Sequence, residues 1–96
     1  MKIKKTYDQV IVLAEQGDAQ SQYELALMYD LGLGIDKDLS KAFAWYQKSA
    51  NQEYAKAQYN LGIFYALAKS VEKDIELSKS WIRKANENGY SGGSIF

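Results

Sequence analysis

The sequence contains no cysteine, no histidine and no proline. Without cysteine there is no disulfide, no thiol nucleophile and no thiolate metal site. Without histidine the commonest general base and transition-metal ligand is missing. Without proline nothing interrupts a helix interior by ring clash. A surplus of one charge is also lacking, with 12 Lys and Arg against 12 Asp and Glu. Nucleic-acid binding needs cations gathered on one face to displace counterions. The only basic cluster, "KIKK" at Lys2–Lys5, reads as a solubilising end. No apolar run is long enough for a signal peptide or a membrane span, so the expected location is cytoplasmic, with no membrane partner.

What is present is apolar and aromatic. Hydrophobic residues make up 47 % of the 96 and aromatics 14 %, with eight tyrosines. That content supports one ordered domain with one modest core.

The chain repeats itself. Shifted by 36 positions, "AEQGDAQSQYELALMYDLG" from Ala14 falls on "ANQEYAKAQYNLGIFYALA" from Ala50, and "IDKDLSKAFAWYQKS" from Ile35 falls on "VEKDIELSKSWIRKA" from Val71. Tyr23/Tyr59, Leu25/Leu61, Tyr29/Tyr65, Asp38/Asp74, Trp45/Trp81 and Lys48/Lys84 are among the identities, and no gap is needed. A period of this length is the mark of a helical repeat array.

Each repeat holds two helical patterns. Ala19, Gln22, Leu25, Ala26 and Tyr29 recur at three and four residues, which places them on one helix face. Ala55, Gln58, Leu61, Gly62 and Tyr65 repeat that face. Leu39, Ala42, Phe43, Tyr46, Ser49 and Ala50 form the second pattern, copied by Ile75, Ser78, Ile82 and Ala85. Asp18, Asp38 and Asp74 precede helices, where a carboxylate satisfies free amides and suits the dipole. "TYDQVIVLAEQ" aligns with a second helix, so one half-repeat leads the array. The reading is a single all-α domain over 1–96, with helices near 6–16, 19–31, 38–51, 55–68 and 74–88. It divides into a capping helix at 6–16, repeats at 17–52 and 53–88, and a tail at 89–96. Stacked repeats give a short right-handed α-α superhelix.

"LGLGIDKD", from Leu31 to Asp38, is the stretch most like a ligand site. A dinucleotide fingerprint needs a third glycine and a preceding strand, and a P-loop needs a Gly-Lys-Ser/Thr end. Asp30, Asp36 and Asp38 are too sparse for a calcium loop. Asp36 and Glu72 occupy equivalent loop ends with nothing to enclose them, so no acid–base pair is expected. The copy "LAKSVEKD" drops both glycines and keeps Lys73 and Asp74, so the glycines read as turn residues and Asp38 as a cap. No catalysis, metal or cofactor is expected.

The first repeat resembles a Sel1-like repeat, a relative of the tetratricopeptide repeat. The likeness rests on Ala-Glu-Gln-Gly, Ala-x-x-Gln-Tyr-x-Leu-Ala-x-x-Tyr, Gly-x-Gly-Ile and Asp-x-x-Lys-Ala-x-x-Trp-Tyr-x-Lys-Ser-Ala. The second copy departs at Glu53, Ala68, Ser70 and Ser78. The resemblance implies an adaptor or scaffold that binds a protein or peptide partner. By analogy with the tetratricopeptide relatives, Gln20, Tyr23, Leu27, Asp30 and Leu31 line a concave face, with Lys56, Tyr59, Ile63, Ala66 and Leu67 in the second copy. Aromatic anchors suit such recognition, and packing of Tyr23 and Tyr59 at the repeat junction is the competing reading. A second reading that the resemblance implies is an immunity or antitoxin-type protein that masks a toxin or enzyme partner, as small stand-alone bacterial proteins of this family sometimes do. A third reading is self-association through Trp81, Ile82 and Phe96 at the end of the array, because an exposed apolar strip usually marks an interface.

Overall fold

A computed structural model describes residues 5–91. Among these the chain forms five helices, α1 (Tyr7–Glu15), α2 (Ala19–Leu31), α3 (Leu39–Asn51), α4 (Ala55–Leu67) and α5 (Ile75–Glu87). Each helix packs on the next, in the order α1, α2, α3, α4, α5. The expected spans agree to within one residue at each end, because polar caps fix the ends. Thr6, Asp18, Asp38 and Asp74 accept from the backbone amides of Gln9, Ser21, Lys41 and Leu77. The N-cap of α4 is Tyr54, which makes no such bond.

The 36-residue period is kept in the connections. Gly32 and Gly34 have φ of 68° and 77°, and their copies Ala68 and Ser70 hold 54° and 60° without being glycine. Gly17 at 97° is matched by Glu53 at 66° and Gly89 at 91°. The amide of Asp38 donates to the Tyr29 carbonyl at 2.9 Å, and that of Asp74 to the Tyr65 carbonyl at 3.0 Å. "LGLGIDKD" is therefore a turn whose geometry survives loss of its glycines.

Two apolar clusters hold the stack. The first joins Val10 and Ala14 of α1 to Leu25 and Met28 of α2. The second joins Tyr23, Ala26 and Leu27 of α2 to Ala42, Tyr46 and Ala50 of α3 and to Ala57, Leu61 and Phe64 of α4. Phe43 supports it with its ring 6.2 Å from Phe64 and 5.7 Å from Tyr65. This second cluster crosses from one repeat into the next, so the repeats share one core.

Amide side chains stitch the same joints. Gln22 Nε2 donates to the Ala14 carbonyl, and Gln58 Nε2 repeats this at Ala50, each at 3.2 Å. Gln52 Nε2 donates to Gln22 Oε1, and Asn88 Nδ2 repeats this at Gln58 Oε1, each at 2.9 Å. Gln22 and Gln58 are buried, so these bonds satisfy groups that water does not reach.

Candidate protein-binding surface

The ten residues expected on one concave strip divide by repeat. In α2, Tyr23 is 7 % exposed, Leu27 5 % and Asp30 8 %. Their cover is repeat 2. Tyr23 meets the Tyr54 ring at 5.4 Å and the Tyr46 ring at 6.0 Å, and Leu27 lies in the cluster with Ala57, Leu61 and Phe64. A partner cannot reach these side chains without displacing α4. Gln20 and Leu31, at the two ends of α2, are exposed.

In α4 the copies stand more open. Lys56 is exposed, Tyr59 and Ile63 are half-buried, and Ala66 is buried. Leu67 is 64 % exposed and Leu31 54 %, so the position that closes each first helix presents an apolar side chain to solvent. Tyr59 stacks on Tyr90 with ring centroids 4.4 Å apart. Tyr90 stands 36 positions after Tyr54 and so repeats the Tyr23–Tyr54 contact. Glu53, Tyr54, Ala55, Lys56, Asn88, Gly89, Tyr90 and Ser91 line a cleft of about 560 Å³ between the start of α4 and the segment after α5.

Asp30 belongs to a network that its position in the sequence does not announce. Tyr46 donates its hydroxyl to Asp30 Oδ2 at 2.9 Å, and Lys69 donates to Oδ1 at 3.0 Å. Lys69 also lies 4.6 Å from the Phe64 ring centroid. The copies of these three residues are Ala66, Ile82 and, one repeat earlier, Leu33, so the network occurs once. It spans α2, α3 and the turn after α4. Asp38 caps α3 and Asp30 is committed here, so these two aspartates serve separate structural ends.

The ionisation of the site reflects its packing. Burial pushes the Tyr23 hydroxyl up to about 12, with the Tyr54 and Tyr90 hydroxyls and Asp30 adding to it. Burial and the Asp30 carboxylate raise Tyr46 as well. Glu53 is held below the usual carboxylate range by hydrogen bonds from Gln58 and Asn88. All these groups keep the charge state they have in water at neutral pH. None is poised to exchange a proton there.

At the end of the array, Trp81 is half-buried and packs against the second cluster, and Ile82 is 4 % exposed. Phe96 lies outside the described residues. Leu77, at 41 %, is the large apolar side chain that α5 does expose. Val12 of α1, at 52 %, is another, and Lys5, Asp8, Gln9 and Leu13 surround it. Both residues fall beside rather than on their helix's apolar stripe, on the side that solvent reaches.

A family model for the Sel1 repeat matches residues 19–54 and 55–90 in succession. The chain belongs to the Sel1 repeat family. The model's frame runs two residues later than repeats divided at 17–52 and 53–88, with the same 36-residue period. Solved structures agree with this Sel1 assignment. A Sel1 repeat protein from Oxalobacter formigenes is 36 % identical with a TM-score of 0.83, over 85 % of this chain and 62 % of its own. Protein c5321, a protective antigen of uropathogenic Escherichia coli strains, is 33 % identical with a TM-score of 0.86, over 91 % and 19 %. The cysteine rich protein B of Helicobacter pylori shares the fold at 22 % identity and a TM-score of 0.84, over 88 % and 64 %. Among curated proteins, the rat DAP3-binding cell death enhancer 1 is 46 % identical over 37 residues, 38 % of this chain and 7 % of its own. A putative sel1-like repeat-containing protein of Acanthamoeba polyphaga mimivirus is 40 % identical over 45 residues, 47 % of this chain and 8 % of its own. The Sel1 chain thus spans a small fraction of these curated relatives. Repeats of this kind generally mediate protein–protein contacts. Among the described residues no helix is long and apolar enough to cross a membrane.

Proposed function

We propose that this Sel1 chain is a protein-interaction module that binds a protein or peptide partner and performs no chemistry of its own. The observation that carries the reading is the accessible row on the first helices of the repeats. Lys56, Tyr59, Ile63 and Leu67 run along α4, with Tyr59, Ile63 and Leu67 four residues apart, hence on one side of the helix. A half-buried tyrosine with aliphatic neighbours and a polar rim has the composition of an interface centre. Gln20 and Leu31 extend the row onto α2. Shared core and amide stitching hold it rigid, which lowers the ordering cost of binding.

The test is affinity capture from the native cell with wild type and with Lys56→Glu/Leu67→Ser. Both side chains are solvent-facing, so the melting temperature should stay the same. The expected result is a captured protein that the double variant loses by at least tenfold. Equal capture by both forms would remove this surface from the proposal. Capture of nothing but further copies of the chain would replace the partner with self-association.

A further inference from the structure

Resting on the interaction-module reading, we propose that Asp30, Tyr46 and the Phe64 ring form a receptor for a primary ammonium group. Lys69 fills it in the free chain, and a lysine side chain of the partner protein takes its place on binding.

The receptor is assembled from three helices. Tyr46 donates its hydroxyl to Asp30 Oδ2 at 2.9 Å, which orients the carboxylate and leaves Oδ1 for a cation. Lys69 Nζ donates to Oδ1 at 3.0 Å and stands 4.6 Å from the Phe64 ring centroid. A carboxylate oxygen and an aromatic face both attract an ammonium, and more strongly away from water. Tyr46 and Phe64 are buried. The Lys69 side chain keeps 30 % of its surface open, against 10 % for that of Asp30. The lysine is thus the cover of the site and its most accessible member.

The stack does not need this site to hold together. In the preceding joint the copies of Tyr46, Phe64 and Lys69 are Val10, Met28 and Leu33, and these pack as a plain apolar cluster. An ion pair taken out of water stabilises a joint no better than well-packed apolar residues do. The charged version therefore serves something besides cohesion.

The turn that delivers Lys69 is under strain. Ala68 and Ser70, on either side, hold φ of 54° and 60° without being glycine. Such conformations persist only where surrounding contacts impose them. Two contacts reach back to repeat 1, Lys69 to Asp30 and Ser70 Oγ to the Leu39 carbonyl at 3.2 Å. Release of Lys69 lets the turn relax, which offsets part of the cost of breaking the pair.

The ligand's chemistry follows from the one oxygen on offer. An arginine binds a carboxylate best through both oxygens, and Tyr46 holds the second. A lysine needs only Oδ1. The neighbours name its source. Leu31 directly follows Asp30, Leu67 stands two residues before Lys69, and they are 54 % and 64 % exposed. A partner lysine flanked by apolar side chains meets the leucines as well as the carboxylate, and a free amine does not.

Two measurements test this. Lys69→Ala should lower the melting temperature, and n-butylammonium chloride, against equal sodium chloride, should restore at least half of the loss. Butylguanidinium should restore clearly less, and Lys69→Ala/Asp30→Asn should not respond to butylammonium. In the wild-type chain, the peptide acetyl-Leu-Ala-Lys-Ala-Leu-amide should shift the NMR signal of Lys69 Cε saturably, and the same peptide with glutamine for lysine should not. The wild-type titration carries the test if Lys69→Ala unfolds the chain. Absence of rescue in a folded Lys69→Ala, or rescue that survives Asp30→Asn, would overturn the proposal. So would a Lys69 signal that the peptide leaves unmoved, because the site would then take no ligand but its own. Displacement by n-butylammonium at the peptide's concentration would overturn the protein source. If the peptide fails while Lys56→Glu/Leu67→Ser still loses a cellular partner, the lysine receptor falls and the interaction module stands.

Discussion

Ala68 holds φ at 54°, in the left-handed region where an L-residue's Cβ crowds its own backbone. Its copy Gly32 sits at 68° and has no Cβ to crowd. The two residues close equivalent helices, and each donates its amide to the carbonyl four residues back, Met28 or Phe64. The turn thus demands the conformation in both repeats, and only the strain differs. Ala68→Gly should stabilise the chain by about 1 kcal/mol, because relief of left-handed strain exceeds the extra freedom glycine has when unfolded. Gly32→Ala should destabilise it by a similar amount, about 1 kcal/mol, since a Cβ there meets Lys37 Cβ at an ordinary 3.5 Å and only the backbone objects. Urea unfolding of the two variants measures both signs. Equal and opposite shifts would place the cost in the dihedral angle. A null effect of Ala68→Gly would mean that the strain is absorbed elsewhere in the turn.

Between helices, the room for a side chain on one is set by how closely its neighbour approaches. Where α2 and α3 face each other with Ala26 and Ala42, α4 and α5 do so with Gly62 and Ser78. A Cβ on Gly62 would stand 2.7 Å from Ile82 Cγ1 and 3.0 Å from the Ser78 carbonyl oxygen. The missing methyl on α4 makes the room that Ile82 fills. Alanine gains about 1 kcal/mol of helix propensity over glycine. Overpacking costs about 1–3 kcal/mol, and a backbone carbonyl cannot swing aside as a side-chain end can. Gly62→Ala should therefore lower stability, and much less so in an Ile82→Ala background, a coupling that a double-mutant cycle reads directly. The helices themselves were legible in the sequence to within a residue, because caps and a two-fold repeated stripe both mark them. The need for glycine at position 62 was not legible. Spacing reveals which residues share a face, but not how closely a neighbouring helix approaches it.

Across the whole molecule, the same limit governed the binding surface. Analogy with the tetratricopeptide repeat placed Tyr23, Leu27 and Asp30 with Tyr59, Ile63 and Ala66, and the 36-residue shift puts the two sets at matching positions. It could not say that the next repeat would lie over the first set, since that depends on the direction in which repeats stack. Asp30 was lost to the strip because Tyr46 and Lys69 claim it from elements 16 and 39 residues away. The joint after α5 offers a measure of how strongly such contacts tie the array together. Glu53 Oε2 accepts from Gln58 Nε2 and from Asn88 Nδ2, each at 2.9 Å, so one carboxylate bridges the start of repeat 2 to the segment that closes it. Those donors favour its charged form and lower its pKa from the ordinary 4.5. A depressed folded-state pKa contributes stability that is complete above the unfolded value and is lost as pH falls through the folded one. The contribution should hold from neutrality down to about pH 5, near the unfolded carboxylate range, and fade below it. Glu53→Gln removes the charge and keeps an acceptor oxygen for the two amides. Denaturant unfolding of wild type and Glu53→Gln at stepped pH should then show wild type ahead near pH 6 and the gap closing toward about pH 3. A gap that is constant with pH would mean that hydrogen-bond geometry alone matters at this joint. A gap that widens on acidification would reverse the sign of the linkage and refute the bridging role of the Glu53 charge.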